Sequence, residues 1–203
     1  RLHTAKIATL GERVEDTFLL TGTVLAQDAL LLRVERDLLE RLGRGRIDAA
    51  LTVVREKNGR FKSEVLRREG YSLALSSEHP LAAEPVIAAE SLADNVMIVR
   101  RLCEVLGETS RHFTSRGVQP FFAARTTSDE RALALVAAGM GVTVMPDGFT
   151  AHGVLRPRLA GFDLKRDIGL IHARHFTEQH EPKSPCLEIL RTTLKPANLA
   201  SRG

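Results

Sequence analysis

Hydroxyl side chains at the start of a predicted helix offer this chain a place to bind an anion. Thr126, Thr127 and Ser128 follow a strand predicted at Pro120–Ala124 and precede that helix. Thr127 is a favoured N-cap, and Glu130 three residues later completes a capping box. A cap uses only some of the four free amides at a helix N-terminus. The remaining amides and hydroxyls are therefore predicted to hold an anion. The alternative is that these hydroxyls only cap the helix, which is the expected role of Thr127.

Two adjacent arginines, Arg100 and Arg101, follow directly after a strand predicted at Val96–Val99. Guanidinium groups at a turn from a strand into a helix offer bidentate hydrogen bonds to a carboxylate. The alternative is an exposed helix start at which these charges pair with Glu104. Because the helix dipole disfavours cations at an N-terminus, we favour ligand binding.

Two loops nearer the amino terminus carry similar groups. Thr9, at the end of the first predicted strand, is followed by Leu10 and Gly11, and a hydroxyl and free amides at this place suit a carboxylate. Arg36 follows the second predicted strand, beside Glu35, which would repel an anion. The alternatives are a simple loop cap for the first loop and solvated surface charges for the second.

The histidines and cysteines do not follow a metal-site pattern. His172 ends a predicted strand, and His175 and His180 follow in loose charged sequence. Cys103 and Cys186 are far apart and match no metal or redox motif. We expect no metal, no cofactor and two reduced thiols, with a peroxide-sensing cysteine pair as the alternative.

The sequence also predicts no enzyme activity. Ser76, Ser77 and His79 come nearest to a nucleophile with its base. They lack a strained glycine elbow and an acid partner, so we expect them to be structural.

Composition narrows the class of protein. Hydrophobic residues make up 43% and charged residues 27% of the 203, as in soluble globular proteins. Aromatic residues are only 4%, too few for a platform that stacks single-stranded nucleic acid. The net charge of +4 is spread along the chain, so it does not predict direct nucleic-acid binding. No apolar run reaches the ~20 residues of a membrane span, and no signal peptide is visible, so we expect a cytoplasmic protein. Because the chain begins with Arg1, we expect further residues upstream.

Strands and helices are predicted to follow one another along the chain. The segment around the first site is typical: Ala132, Leu135 and Val136 share a helical face, and Gly139 and Gly141 permit a tight turn into the next strand. Helices are predicted at about 14–26, 38–42, 101–115 and 186–194, and strands at 6–9, 29–34, 47–54, 71–75, 96–99, 120–124, 142–145 and 168–172. Repeated strand–helix–strand units predict an α/β fold with two mostly parallel sheets, in two lobes around a cleft.

Three segments resemble the effector-binding, or substrate-binding, domain of LysR-type transcriptional regulators. They are LLERLGRGRIDAAL at residues 38–51, YSLALSSEHPL at residues 71–81, and LALVAAGMGV at residues 133–142 followed by Pro146. They occur in the order and at the spacing of that family, and the likeness spans about residues 4–194.

The resemblance implies a two-lobed, periplasmic-binding-protein-like fold. Lobe I would hold residues 1–76 and 169–203, and lobe II residues 77–168. It also implies a small and often anionic effector bound between the lobes, a winged helix-turn-helix upstream that contacts DNA, and assembly into homodimers or homotetramers. Nothing in it implies a membrane.

Two other classes of function remain as alternatives. A solute-binding protein of a transport system shares this fold, and a secretory signal upstream would favour it. An enzyme on the same scaffold would need a convergent catalytic set.

Overall fold

The computed structural model describes residues 4–10, 13–19, 37–54, 61–172 and 185–194. Its strands and helices follow one another, as expected for an α/β protein. In chain order they are β1 Thr4–Leu10, β2 Arg13–Leu19, α1 at residues 37–43, β3 Ala49–Val53, β4 Lys62–Ser76, β5 Val86–Ile87, a 3₁₀ helix Ala89–Leu92, β6 Val96–Arg100, α2 Leu106–Thr114, β7 Phe121–Thr126, α3 Asp129–Ala137, β8 Thr143–Pro146, β9 Val154–Leu155, β10 Arg158–Leu159, β11 Lys165–His172 and α4 Pro185–Leu194.

The chain divides into two compact units. The first comprises Arg1–Val34, Ser72–Met145 and Phe149–Phe162, and the second comprises Glu35–Tyr71, Pro146–Gly148 and Asp163–Gly203. The lobes expected from the sequence, residues 1–76 with 169–203 and residues 77–168, stay a prediction.

Strands β6 and β7 of the first unit form a parallel pair, in which Arg100 stands opposite Thr126. Parallel neighbours need a crossover connection, and α2 lies in the connection between them. On the other side of β6, Val142 exchanges backbone hydrogen bonds of 2.8 Å with Val96 and Ile98. Strand β6 is therefore an interior strand, and its carboxyl end emerges beside that of β7.

The core of the first unit packs α3 against the sheet. Ala132, Leu133 and Val136 are buried in one apolar cluster with Ile98 of β6. Leu135 packs against this cluster and is partly buried. The helical face predicted from the sequence is thus confirmed as core packing.

Helix α3 begins one residue later than the sequence indicates. Ser128, not Thr127, is the N-cap, and its Oγ accepts a hydrogen bond from the backbone N–H of Arg131 at 3.1 Å. The predicted capping box between Thr127 and Glu130 is therefore wrong. The reason is the turn before the helix: the Thr126 hydroxyl accepts from the Ser128 N–H at 3.1 Å, which delays the first helical residue.

The predicted glycine stop of α3 is confirmed. Gly139 has φ 71°, and its N–H donates to the Val136 carbonyl at 2.9 Å. The N–H of Met140 donates to the Leu135 carbonyl at 3.0 Å. These two hydrogen bonds form a Schellman motif, which turns the chain towards β8.

The sheet of the second unit is antiparallel. Strand β11 pairs antiparallel with β3 on one side and with the first part of β4 on the other. The mostly parallel pairing expected of the sheets is therefore wrong for the strand predicted at residues 47–54, whereas β6 and β7, both predicted as strands, are parallel. The short strands β5 and β10, which were not predicted, are also parallel. Within the described strands β3 is an edge strand, and its Leu51 is 45% exposed. An apolar run is not always a strand buried on both faces.

Two small apolar clusters hold the helices of the second unit. Leu187 of α4 packs with Leu66 and Leu170, and Leu42 of α1 packs with Ile171. The helices predicted at residues 38–42 and 186–194 are confirmed.

Two other predicted helices are wrong in part. Residues 13–19 form β2, antiparallel to β1, where a helix was expected; residues 20–26 of that prediction, and the strand predicted at 29–34, lie outside the described residues. The helix predicted from Arg101 begins at Leu106. Residues 101–105 turn instead, closed by hydrogen bonds of 3.1 Å from Cys103 N–H to the Arg100 carbonyl and from Leu106 N–H to the Cys103 carbonyl. The strands predicted from residue 71 onwards all lie within β4, β6, β7, β8 and β11, apart from residues at their ends.

Candidate functional site

The carboxyl ends of β6 and β7 bring together two of the groups predicted to bind an anion. Arg100 faces Thr126 in the parallel register, and the backbone N–H of Arg101 donates to the Thr126 carbonyl at 2.9 Å. Ligands of open α/β sheets bind outside the carboxyl ends of the strands. The first turn of α3 follows directly, so backbone, hydroxyl and guanidinium groups meet at this edge.

Arg100 is buried and paired within the protein. It is the last residue of β6 and is 5% exposed. Its Nε donates to Asp129 Oδ1 at 2.6 Å, and its Nη1 donates to the Val144 carbonyl at 3.1 Å. The guanidinium also lies 6.0 Å from the ring centroid of Phe149. The alternative of an exposed helix start is therefore wrong for Arg100, whose charge is balanced by a carboxylate.

The hydroxyls of Thr126 and Ser128 are also engaged. Thr126 is buried and holds the turn before α3, while the Ser128 hydroxyl caps the helix and donates to Glu130 Oε2 at 2.8 Å. The pKa of the Glu130 carboxyl lies below its usual value, because its own backbone N–H and the Ser128 hydroxyl hydrogen-bond to the charged form. The first turn of α3 thus already carries the carboxylates of Asp129 and Glu130.

Arg101 and Thr127 are the predicted residues whose side chains remain available. Both are exposed, and neither side chain forms a hydrogen bond or an ion pair with the described part of the chain. Their neighbours Arg100, Thr126 and Ser128 use their side chains to stabilise the strand end and the start of α3. Of the five predicted residues, only Arg101 and Thr127 therefore have side chains that can contact a ligand.

The remaining predicted contacts lie elsewhere. Thr9 and Leu10 end β1, whose partner is β2. Gly11, Glu35 and Arg36 lie outside the described residues. A strand, β2, follows this loop where a helix was expected, and the contact predicted at the loop stays a prediction.

The histidines and serines considered for catalysis have structural roles where they are described. His79 Nδ1 accepts from the Leu81 N–H at 3.1 Å, and its Nε2 lies 2.7 Å from Asn95 Oδ1. Both ring nitrogens are thus occupied, and none faces a serine. Among the described residues no group of histidine, cysteine and carboxylate side chains could hold a metal ion. His172 is buried in β11, and His175 and His180 lie outside the described part.

The sequence did not reveal a pocket in the first unit. Its volume is about 330 Å³, and its walls come from β6, the turn after it, α2, the start of β7 and β8. Met97, Ile98, Leu106, Phe113 and Val144 contribute apolar surface. Arg100 and Cys103 lie in the wall nearest to the predicted site.

The pocket leaves only a faint signal in the sequence. Thr109 and Phe113 are four residues apart on α2 and both are buried, which fits an inward helical face. Such a face normally predicts close packing. A cavity instead depends on how far the helix stands from the sheet, which spacing does not encode.

Cys103 is a buried free thiol in this pocket wall. Burial raises the pKa of this thiol, and the nearby Arg100 charge offsets the rise only in part. The nucleophilic thiolate is therefore disfavoured. The side chain of Cys186 is not described.

No described helix is both long enough and apolar enough to cross a membrane.

A family model for the LysR substrate binding domain matches residues 29–193. HinK, a LysR family transcriptional regulator from Pseudomonas aeruginosa, is a structural neighbour with TM-score 0.63 and 18% identity, over 79% of this chain and 58% of its own. The effector binding domain of QuiR in complex with shikimate has TM-score 0.54 and 18% identity, over 68% of each chain. The BenM effector binding domain with its effector benzoate has TM-score 0.52 and 21% identity, over 68% of this chain and 66% of its own.

A short stretch is similar to a different class of protein. The bifunctional uridylyltransferase/uridylyl-removing enzyme of Aromatoleum aromaticum is 73% identical over 41 residues, which are 20% of this chain and 5% of the enzyme. The enzyme of that name from Ralstonia nicotianae is 62% identical over 42 residues, again 20% and 5%. The chain thus spans a twentieth of these curated relatives and 58% of HinK.

Proposed function

The chain belongs to the LysR substrate-binding domain family, and we propose that it senses a small organic anion for a DNA-binding transcription regulator. Members of the family have an α/β, two-lobed, periplasmic-binding-protein-like fold, and the structural neighbours are effector-binding domains of this kind. The domain binds an effector, and its regulator acts on transcription.

The observation that carries the choice of site is the meeting of β6 and β7 at their carboxyl ends. Arg101 and Thr127 sit on adjacent strand ends, with the Arg101 N–H bonded to the Thr126 carbonyl at 2.9 Å. We assign the ligand contacts to these two exposed side chains. Arg100, Thr126 and Ser128 position them by forming the ion pair, the turn and the cap described above.

The expected effector is a small carboxylate. An exposed guanidinium forms charge-assisted hydrogen bonds with carboxylates, and a hydroxyl adds one neutral bond. The neighbours QuiR and BenM are seen with shikimate and benzoate, both of which are organic acids. The carboxylates of Asp129 and Glu130 lie in the next turn, so the ligand's charge must approach Arg101 rather than the N-terminus of α3.

The proposed mechanism involves no covalent chemistry. An effector that binds one arrangement of the domain more tightly than another shifts the equilibrium between them. The regulator then reads this shift at its DNA-binding part, which lies in another segment of the full-length protein. In the same proposal, the regulator assembles as a homodimer or homotetramer and acts on DNA in the cytoplasm. A transport-type solute-binding protein remains the alternative, and the family match favours the regulator.

Arg101→Ala and Thr127→Val test the assignment. Thermal unfolding and calorimetry with a panel of small carboxylates, including benzoate and shikimate, should identify an acid that stabilises the chain. Each substitution should weaken its binding about tenfold, the value of one charge-assisted or well-placed hydrogen bond.

Arg111→Ala is the matched control, because Arg111 is an exposed arginine on α2 that pairs only with Glu108 among the described residues. It should bind the acid like the unchanged chain. Equal binding by all three variants would overturn the site, and a panel without any ligand would overturn the proposed class of effector.

A further inference from the structure

We propose that the pocket beneath α2 binds a second ligand, a small uncharged molecule with an apolar body and one hydrogen-bonding end. This pocket is the 330 Å³ cavity lined by β6, α2, β7 and β8. It goes beyond the proposed anion sensing, because Arg101 and Thr127 do not line it. Its size lies at the lower end of the range for small-molecule sites.

The walls favour an apolar body. Met97, Phe113 and Val144 are buried and line the cavity from the strands and from the helix. Phe122 of β7 lies nearer the surface at 46% exposure and completes the outer wall. Apolar and aromatic walls with a few polar groups are the usual lining of small-molecule sites. A ring or a short branched chain would cover surface that otherwise meets water.

The charges exclude an anion. Arg100 is the one cationic residue of the lining, and Asp129 already neutralises it at 2.6 Å. A second carboxylate would meet the like charge of Asp129 while losing its own hydration, which is costly in a largely apolar site. A cation would face the Arg100 guanidinium itself. An uncharged ligand avoids both penalties.

The hydrogen bonds of the lining side chains indicate where the polar end of the ligand lies. The hydroxyls of Thr109, Thr114 and Thr143 donate to backbone carbonyls at 2.9, 3.0 and 2.8 Å, so they do not require a ligand. Ser110 and Gln119, by contrast, make no side-chain hydrogen bond within the described residues. Both are exposed and therefore lie at the mouth. The ligand places its apolar part inside and a hydroxyl or amide near these two side chains.

A matched pair of probes tests the chemistry on the chain itself. We would measure binding of 2-naphthalenemethanol and of 2-naphthoate by ligand-observed NMR and calorimetry. The two differ only in an alcohol against a carboxylate. The alcohol should bind in the pocket, and the acid should bind there at least about tenfold more weakly because of the charge of Asp129.

Ser110→Phe tests the location. Ser110 is exposed on α2, so a larger side chain there fills the mouth without disturbing the core. This variant should lose alcohol binding by about tenfold or more, since the cavity is occupied. Ser115→Phe is the control: Ser115 is exposed at the C-cap of the same helix and does not line the pocket, so binding should be unchanged.

Asp129→Asn tests the charge argument separately. Removing the carboxylate frees the Arg100 charge for a ligand, so 2-naphthoate should gain about tenfold in affinity while the alcohol changes little. Thermal unfolding checks that the variant folds. If it does not fold, the alcohol-to-acid ratio of the unchanged chain still decides the charge argument.

Two results would overturn the proposal. Alcohol binding that is equally strong in Ser110→Phe and Ser115→Phe, or absent from the unchanged chain, removes the pocket as its site. If the acid binds as tightly as the alcohol, and Ser110→Phe weakens that binding, the pocket does not select uncharged ligands. Arg101 does not line the pocket, so the Arg101→Ala variant should bind the alcohol like the unchanged chain. The test of the pocket therefore does not depend on whether the proposed anion site is correct.

Discussion

Adjacent arginines at the end of β6 meet different surroundings. Successive side chains of a strand point to opposite faces, so Arg100 points inward to Asp129 while Arg101 stays exposed. A buried guanidinium needs a partner because burial of an unpaired charge is costly. Arg100 therefore stabilises the turn into α3, and only Arg101 keeps its charge free for a ligand.

His112 is another buried titratable residue of the first unit. It is 8% exposed, and Arg116 Nη1 lies 3.1 Å from its Nδ1. Because arginine only donates, Nδ1 accepts and the proton of the neutral ring lies on Nε2. Nε2 is buried with no hydrogen-bond partner of normal geometry among the described residues, although the Ala160 carbonyl is near enough to favour the charged ring slightly. Burial and then the Arg116 charge lower the pKa of His112 below its ordinary 6.5.

This direction fixes how stability depends on pH. The folded chain binds the His112 proton less readily than the unfolded chain, so the contribution of the neutral ring is complete above pH 6.5 and is lost as the pH falls below it. His112→Asn keeps an acceptor for Arg116 but does not titrate. Urea unfolding at about pH 7.5 and about pH 5 should therefore show a smaller fall in the free energy of unfolding for this variant. His152→Asn, at an exposed position, is the control; a fall in His112→Asn as large as in that control would contradict the prediction.

Among the elements, the turn from α3 into β8 depends most on its backbone. Gly141 has φ 150°, and a Cβ there would lie 2.6 Å from the Val96 carbonyl oxygen. Gly139 has φ 71°, but a Cβ there would meet nothing within 4 Å. Gly141 is therefore needed because the chain passes close to β6, whereas Gly139 is needed only for its left-handed backbone conformation.

Alanine substitutions should separate these two causes. Gly139→Ala should cost about 1 kcal/mol of unfolding free energy, the strain of a left-handed residue. Gly141→Ala adds a clash with backbone that cannot move without displacing β6, so it should cost at least about 3 kcal/mol. Urea denaturation of the two variants at one pH measures the difference. Equal losses would mean that β6 yields to the added methyl group.

The same turn shows what local sequence can predict. Glycine positions, a capping hydroxyl and an apolar helical face act within a few residues, and α3 and β8 were predicted almost to their ends. Residues 13–19 were predicted as a helix, but they pair with β1 as a strand. Only Gly11 and Glu12 separate the two strands, and a glycine in a two-residue connection is typical of a hairpin. The sequence therefore contained a signal for the β1–β2 hairpin that the helix prediction did not use.

At the scale of the molecule, the candidate site was predicted in its parts but not in its arrangement. The sequence placed arginines and hydroxyls at strand ends, and the β6–β7 register brings two of those groups together. Arg100 is not available to a ligand because it pairs with Asp129, which is 29 residues away in the chain. Local sequence patterns do not predict such a distant ion pair. The predicted contacts at Thr9 and Leu10 precede the residues that match the family. They stay a prediction without support from that match.

The two units are stabilised in different ways. The first has a cluster of six buried apolar residues around α3. Among its described residues the second has two smaller apolar clusters, and ion pairs join β4 to β11. Glu69 of β4 is the centre of one such group: its side chain is 4% exposed, it lies 2.6 Å from Arg166 of β11, and it accepts from the Gly148 N–H at 2.8 Å.

Hydrogen exchange should therefore separate the units. Glu69→Gln removes the buried carboxylate that pairs with Arg166 and should cost about 2 kcal/mol locally, so the amides of β11, Asp147 and Gly148 should exchange more than about tenfold faster. Amides of β6 and α3, held by the apolar cluster, should keep their protection. Asp167→Asn is the matched control on β11: it removes a carboxylate whose partner, Arg68, is 66% exposed, and such exposed pairs contribute little. Equal acceleration throughout the chain in Glu69→Gln would show that the units unfold as one, and equal effects of both substitutions would show that burial of Glu69 does not strengthen its ion pair.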